Sequence, residues 1–245
     1  MKRKLVTALL ATGGLLASSP AHALFTNGGF ESGDFTGWTL SGSGASLSST
    51  QIINASTPML AGQSTDINPY YGSNMARLQD LYGNYHSTTL SQTDTLTSAD
   101  LTEDLYVGWG ALLIEPSNEH PVNAQPYFDI AVLLNGSTIG SFHADALTKQ
   151  GGGWTQYGYL GGEAWYKTGV YTFDLSTFNV GDSITVNMSI HDCAYSGHGA
   201  AAFLDGIGTT PIQDPNNPVP EPATMLLFGT GIAGLVGTKL KRKKK

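Results

Sequence analysis

A single cysteine, Cys193, leaves the chain no partner for an intrachain disulfide, so the residue is either buried or pairs between chains. Charge is sparse as well. Asp, Glu, Lys and Arg make up 13% of the 245 residues, against roughly 25% in a typical globular domain, and 31 glycines and many uncharged polar residues take their place. Basic residues are nearly missing from the middle of the chain. Of 12, three (Lys2, Arg3, Lys4) lie at the start and six (Lys239, Lys241, Arg242, Lys243, Lys244, Lys245) at the end, which leaves Arg77, Lys149 and Lys167. All 19 acidic residues fall from Glu31 to Glu221, so three basic against 19 acidic side chains give the part from Leu24 to Glu221 a net charge of −16. Such a body repels phosphate backbones, which argues against nucleic acid as a partner, and it suits divalent cations. Patterns of the G-x-S-x-G, P-loop and H-E-x-x-H kinds are also missing, so serine-hydrolase, nucleotide and zinc-protease chemistry have no support.

What is present is clearest at the two ends. Met1 to Ala23 has a positive start, an apolar run from Leu5 to Leu16 and a small-x-small site, Ala21-His22-Ala23, which together predict a signal helix removed on export. At the other end Ala223 to Thr238 is apolar, and its length as a helix, ~24 Å, falls a little short of a ~30 Å hydrocarbon core. Lysines snorkelling from Lys239 to Lys245 close the gap, and their charge keeps this end cytoplasmic. Before this transmembrane helix stands Val219-Pro220-Glu221-Pro222, where two prolines hold the backbone extended and accessible to a processing enzyme.

This order of Pro220-Glu221-Pro222, glycine-containing apolar helix and basic end resembles the PEP-CTERM sorting signal, and the likeness covers the end of the chain alone. It implies an exosortase-type processing partner, contact with the membrane before processing, and delivery to the cell surface, outer membrane or extracellular matrix of a Gram-negative bacterium. It also implies association with exopolysaccharide or biofilm. The expected domains are a signal peptide at 1–23, a β-sandwich at 24–212, a Pro-rich linker with the motif at 213–222, and the helix with its basic tail at 223–245.

Between the ends no helical periodicity is sustained. Strand-like runs recur at Ser87–Leu96, Leu105–Ile114, Tyr127–Leu134, Ser137–Phe142, Tyr166–Leu175, Ser183–Ile190 and Ala200–Ile207, with Asn135-Gly136 as a tight hairpin turn. Short strands separated by glycine-rich turns predict an all-β fold, an antiparallel β-sandwich. Asn27-Gly28-Gly29-Phe30-Glu31 with Gly37-Trp38, Tyr171 to Ser176, Gly181-Asp182 and Phe203-Leu204-Asp205-Gly206-Ile207 resemble segments of galactose-binding-like jelly rolls, which include several carbohydrate-binding modules.

That resemblance implies a structural calcium between the first and last strands, with Glu31 and Asp205 as carboxylate ligands and backbone carbonyls near Asn27 completing the shell, as suits a hard cation. The alternative is that Glu31 caps a turn and Asp205 is a solvated strand end. For glycans the candidates are aromatic residues in polar, glycine-containing segments: Tyr70, Tyr71, Tyr82 and Tyr85, then Trp154, Tyr157 and Tyr159. Packing over a sheet is the other reading of these rings. Trp38, Trp109 and Trp165 lie in or beside strands and are expected in the core. His191, Asp192, Cys193 and His198 have metal-binding chemistry but fall short of a defined zinc set. Glu115, Glu119 and Glu163 are available to a glycosidase, yet no spacing pairs them. The expectation is a non-catalytic, sorted surface protein that binds carbohydrate; a glycan-cleaving enzyme and a purely structural matrix protein are the alternatives.

Overall fold

A computed structural model describes residues 24–42, 50–54, 67–81, 85–114, 121, 124–159, 162–193 and 198–216, without the side chains of 157–163. The signal segment, Tyr82, Glu115, Glu119, the motif at 219–222 and the apolar tail lie outside the described residues. Eleven strands are described: β1 Thr39–Gly42, β2 Gln51–Asn54, β3 Asn74–Asp80, β4 Ser87–Thr95, β5 Asp104–Ile114, β6 Tyr127–Leu134, β7 Ser137–Asp145, β8 Thr155–Tyr159, β9 Gly162–Asp174, β10 Ser183–His191 and β11 Gly199–Gly208. They form two antiparallel sheets, β1-β4-β10-β6-β7 and β2-β3-β11-β5-β9-β8. This is the expected β-sandwich.

Alternation decides which side chains enter it. In β10, Ile184, Val186, Met188 and Ile190 are buried while Ser183, Thr185, Asn187, Ser189 and His191 point outward at intermediate exposure, the period of two that puts successive residues on opposite faces. Trp109 of β5 reaches across the sandwich and stacks on Phe128 at 5.5 Å, with Phe142 at 5.0 Å and Tyr171 at 5.9 Å. The second sheet is covered on its far side as well. Ala201, Phe203, Met75, Leu112 and Ile114 form a smaller core there with Ile67, which explains why β5 and β11 read as continuous apolar runs.

The Asn135-Gly136 turn closes β6 onto β7 with φ of 48° and 79°, the left-handed pair that this hairpin needs. Asn135 also accepts from the Ser183 N–H at 2.9 Å and donates to Asp182 Oδ1 at 2.9 Å, which ties the turn to the start of β10. Asn135→Ala is expected to cost about 1–2 kcal/mol, because both bonds and the residue's tolerance of positive φ are lost. Denaturant midpoints of the two proteins measure it.

Candidate functional site

Two regions concentrate chemistry. At the first, the N-terminal loop meets the end of β11, and the Ile207 N–H donates to the Gly28 carbonyl at 3.0 Å. A Cβ on Gly28 would stand 1.9 Å from the Ile207 oxygen, so only glycine fits. Asp205 is buried here. Its Oδ2 accepts from the Tyr70 and Tyr71 N–H groups at 2.6 and 2.9 Å, and its Oδ1 from the Gly206 N–H at 2.6 Å. Burial pushes this carboxyl up to about 8 against the pull of those donors, and the Glu31 charge adds to the rise. Glu31 in turn takes the Ser73 and Asn74 N–H groups on Oε1, both at 2.8 Å. Each carboxylate is therefore oriented by backbone donors and keeps lone pairs unspent, at Asp205 Oδ1 and Glu31 Oε2.

This donor set fits calcium in kind: hard oxygens, two carboxyl groups, and a buried acid whose ionisation a cation would favour. The Asn27 carbonyl is a correction. It accepts from the Phe30 N–H at 3.0 Å and the Trp38 indole at 3.2 Å, which uses both lone pairs, and the Asn27 side chain bonds Asp34 and Ser32. Asn27 shapes the loop.

The second region is the outward face of the five-stranded sheet. Register aligns Ser41, Thr89, Ser189, Asp129 and His143 in one row across it, and Thr39, Ser91, Asn187, Ala131 and Ser141 in the next. At one end a run of rings crosses the strands. Tyr85 lies 6.4 Å from His191, His191 stacks on Tyr127 at 4.9 Å, and Tyr127 lies 5.5 Å from His143, whose Nδ1 is 2.6 Å from Asp129 Oδ1. Burial lowers the pKa of His191 against the pull of Asp192, so its ring is neutral at pH 7. Burial, then the Asp129 charge, raises that of Tyr127, so its hydroxyl keeps its proton. Asn187, in the neighbouring row, keeps its Oδ1 buried and without a hydrogen-bond partner. No strand of this sheet contains Lys or Arg.

The aromatic candidates separate. Tyr70 is buried, its hydroxyl donates to the Trp109 carbonyl at 2.5 Å, and its ring lies on Gly108, so it is a structural side chain and not a sugar platform. Its polar sequence neighbours concealed this. Tyr71, 48% exposed, and Tyr85, 56% exposed, remain open to solvent. Trp154 is half-buried against the core and donates to the Gln150 carbonyl at 3.0 Å. Tyr157 and Tyr159 lie on β8. Trp38 and Trp109 are core as expected, whereas Trp165 is half-buried under the Lys149 ammonium, 4.8 Å from its ring. Cys193 and Asp192 are buried, and among the described residues no group of three or more His, Cys, Asp or Glu is placed to hold a metal.

The last described residues form a clasp. The Asn68 N–H donates to Asn216 Oδ1 at 2.8 Å, and Asn216 Nδ2 returns a bond to the Asn68 carbonyl at 3.0 Å. Two residues further on, the sorting element begins. Residues 218–243 are a PEP-CTERM protein-sorting motif. The PEP-CTERM tail marks the chain for export and sorting to the cell surface, and the clasp fixes the body immediately ahead of it. No curated protein matches the chain. Among solved structures it is similar to TmCBM61 in complex with β-1,4-galactotriose, at 17% identity over 77% of this chain and 97% of that one, with a TM-score of 0.43. It is also similar to CBM27-1 of Caldicellulosiruptor saccharolyticus in complex with mannohexaose, at 16% identity over 75% and 95%, TM-score 0.39. A third is CBM28, a module specific for non-crystalline cellulose, at 14% identity over 75% and 92%, TM-score 0.36.

Proposed function

We propose that this is a non-catalytic surface protein whose body adheres to a neutral polysaccharide through the outward face of the five-stranded sheet, after an exosortase-type enzyme has processed its PEP-CTERM tail. The observation that carries the reading is the ring strip Tyr85, His191, Tyr127 and His143 beside a field of hydroxyls. Sugars offer apolar C–H surfaces to rings and hydroxyls to such polar groups. The absence of basic side chains from these strands disfavours anionic glycans. Many weak contacts along one polymer add through avidity. Retention on immobilised exopolysaccharide of the producing bacterium tests this. Its association with exopolysaccharide or biofilm in a Gram-negative bacterium belongs to the same proposal.

A glycosidase needs two carboxyl groups facing one bond, and on this face Asp129 is the only outward carboxylate among the five strands apart from the strand ends. Sustained release of reducing ends from the same polymer would overturn the non-catalytic reading. Calcium between Glu31 and Asp205 would lock the N-terminal loop to β11 and hold both carboxylates ionised.

For the tail, replacing Pro220, Glu221 and Pro222 together by alanine is expected to leave surface chains that still end at Lys245. The parent sequence is expected to yield products that lack the apolar segment from Ala223 to Thr238. Intact mass spectrometry of the exported protein distinguishes them, and a parent chain ending at Lys245 would make the tail an ordinary anchor.

A further inference from the structure

A cavity of about 360 Å³ opens between the N-terminal loop and the chain leaving β11, and none of its lining residues belongs to the sheet face described above. Leu24, Ile207 and Ile212 give it apolar walls, Tyr71 adds a half-exposed ring, and Glu31 and Thr210 supply polar groups. The loop around it is held in an unfavourable backbone state. Phe25, Asn27 and Phe30 have φ of 68°, 54° and 53°, three non-glycine residues in the left-handed region within six positions, two of them bulky. Such a state persists only where the surroundings over-determine it, and it concentrates at ligand sites. Here the Phe25 N–H is tied to Asp94 Oδ2 at 3.0 Å, and the Phe25 ring stacks on Trp38 at 6.5 Å. The loop is thus held around an open cavity by contacts on its other side.

We propose that this cavity is a second carbohydrate site, which takes a single neutral sugar residue at a chain end. The proposal rests on the reading of the body as a glycan binder. Volume sets the size: about 360 Å³ is near the lower limit of small-molecule pockets, room for one or two rings. Charge sets the class. Glu31 is the only charged side chain among the described lining residues, so without a bound cation the site repels carboxylates and sulfates and accepts hydrogen bonds from hydroxyls. The mixed wall matches a sugar, apolar on one face and hydroxylated at its edge. A pocket of this size takes an end, whereas the open sheet face takes a run of polymer. With two separate sites, one body can bridge two polysaccharide chains, which makes it a cross-linker of the matrix.

Saturation-transfer NMR on the mature chain in chelator-containing buffer tests this, with the methyl glycosides of glucose, galactose and mannose as probes and methyl glucuronide as the anionic control. At least one neutral glycoside should bind, and the glucuronide should not. Ile212→Trp, which fills the cavity, and Tyr71→Ala, which removes an exposed ring and is not expected to disturb folding, should each weaken the signal about ten-fold. Silence from all three neutral probes, or a signal that survives both cavity variants, would overturn the second site. Failure of polysaccharide retention with the cavity signal intact would instead remove the sheet-face reading alone.

Discussion

Tyr127→Ala is expected to reduce retention on the exopolysaccharide at least about ten-fold, which corresponds to about 1.4 kcal/mol per site before avidity multiplies it. Tyr127 is the centre of the ring strip, with His191 stacked on one side at 4.9 Å and His143 at 5.5 Å on the other. Its loss removes one contact and the lateral support of two more, the situation in which a few central residues carry most of a binding energy. The fold should survive. The ring stands on the outward face, and its neighbours Phe128 and Ile130 keep filling the core. Ser141→Ala, at the exposed margin of the same face, serves as a control with a small effect. Because burial keeps His191 neutral, retention should hold from pH 8 down to about pH 6.5. Unchanged retention by a folded Tyr127→Ala protein would leave the face without a glycan role and favour a purely structural matrix protein.

The residues of this strip were hidden in the sequence for a physical reason. Tyr127, Asp129, His143 and His191 lie on three strands, and only the register of β6 against β7 and β10 brings them together. Alternation does place Tyr127 and Asp129 on one face of a strand, and His191 on the outward face of β10, but nothing local says that these faces adjoin. The seven strands expected from alternating or apolar runs are all present, because each buries a face that its own sequence marks. The four others escaped. β1 and β2 are edge strands of four residues, β8 follows a glycine run, and β3 carries Arg77 amid residues buried on both faces. Tyr70 and Tyr71 show the same limit at the scale of one residue. They share a polar segment, yet one ring lies over Gly108 and the other reaches solvent, a difference set by β5 and invisible in residues 67–73. Glu31 and Asp205, by contrast, were paired by the resemblance, and they do share one joint, with Glu31 in the loop ahead of β1 and not in a strand.

In chelator, the body should lose stability as pH rises from about 4 to about 8, the reverse of ordinary acid denaturation. Burial, reinforced by the Glu31 charge, keeps the proton on folded Asp205 until about pH 8, whereas the unfolded chain releases it near 3.8. Between these values the unfolded state binds fewer protons, so stability falls with a slope approaching about 1.4 kcal/mol per pH unit and levels off above the folded pKa. Asp34, Asp174 and Asp182 act in the opposite direction and in another window. Hydrogen bonds, led by those from the side chains of Ser32, Ser176 and Asn135, depress their pKa values, so the stability that they contribute is lost only below about pH 4. The optimum in chelator therefore lies on the acid side, near pH 4 to 5. Saturating calcium removes the fall, because a cation bound to Asp205 Oδ1 and Glu31 Oε2 favours the ionised forms that protons oppose. Asp205→Asn should flatten the slope in chelator and lose the response to calcium. It should also carry a constant penalty, since an amide cannot accept from Tyr70, Tyr71 and Gly206 on both of its atoms. Thermal unfolding across pH 4 to 8, with and without calcium, reads all of this. If the parent protein follows one profile in calcium and in chelator, the cation has no place at this joint, and the two carboxylates serve only to gather backbone N–H groups.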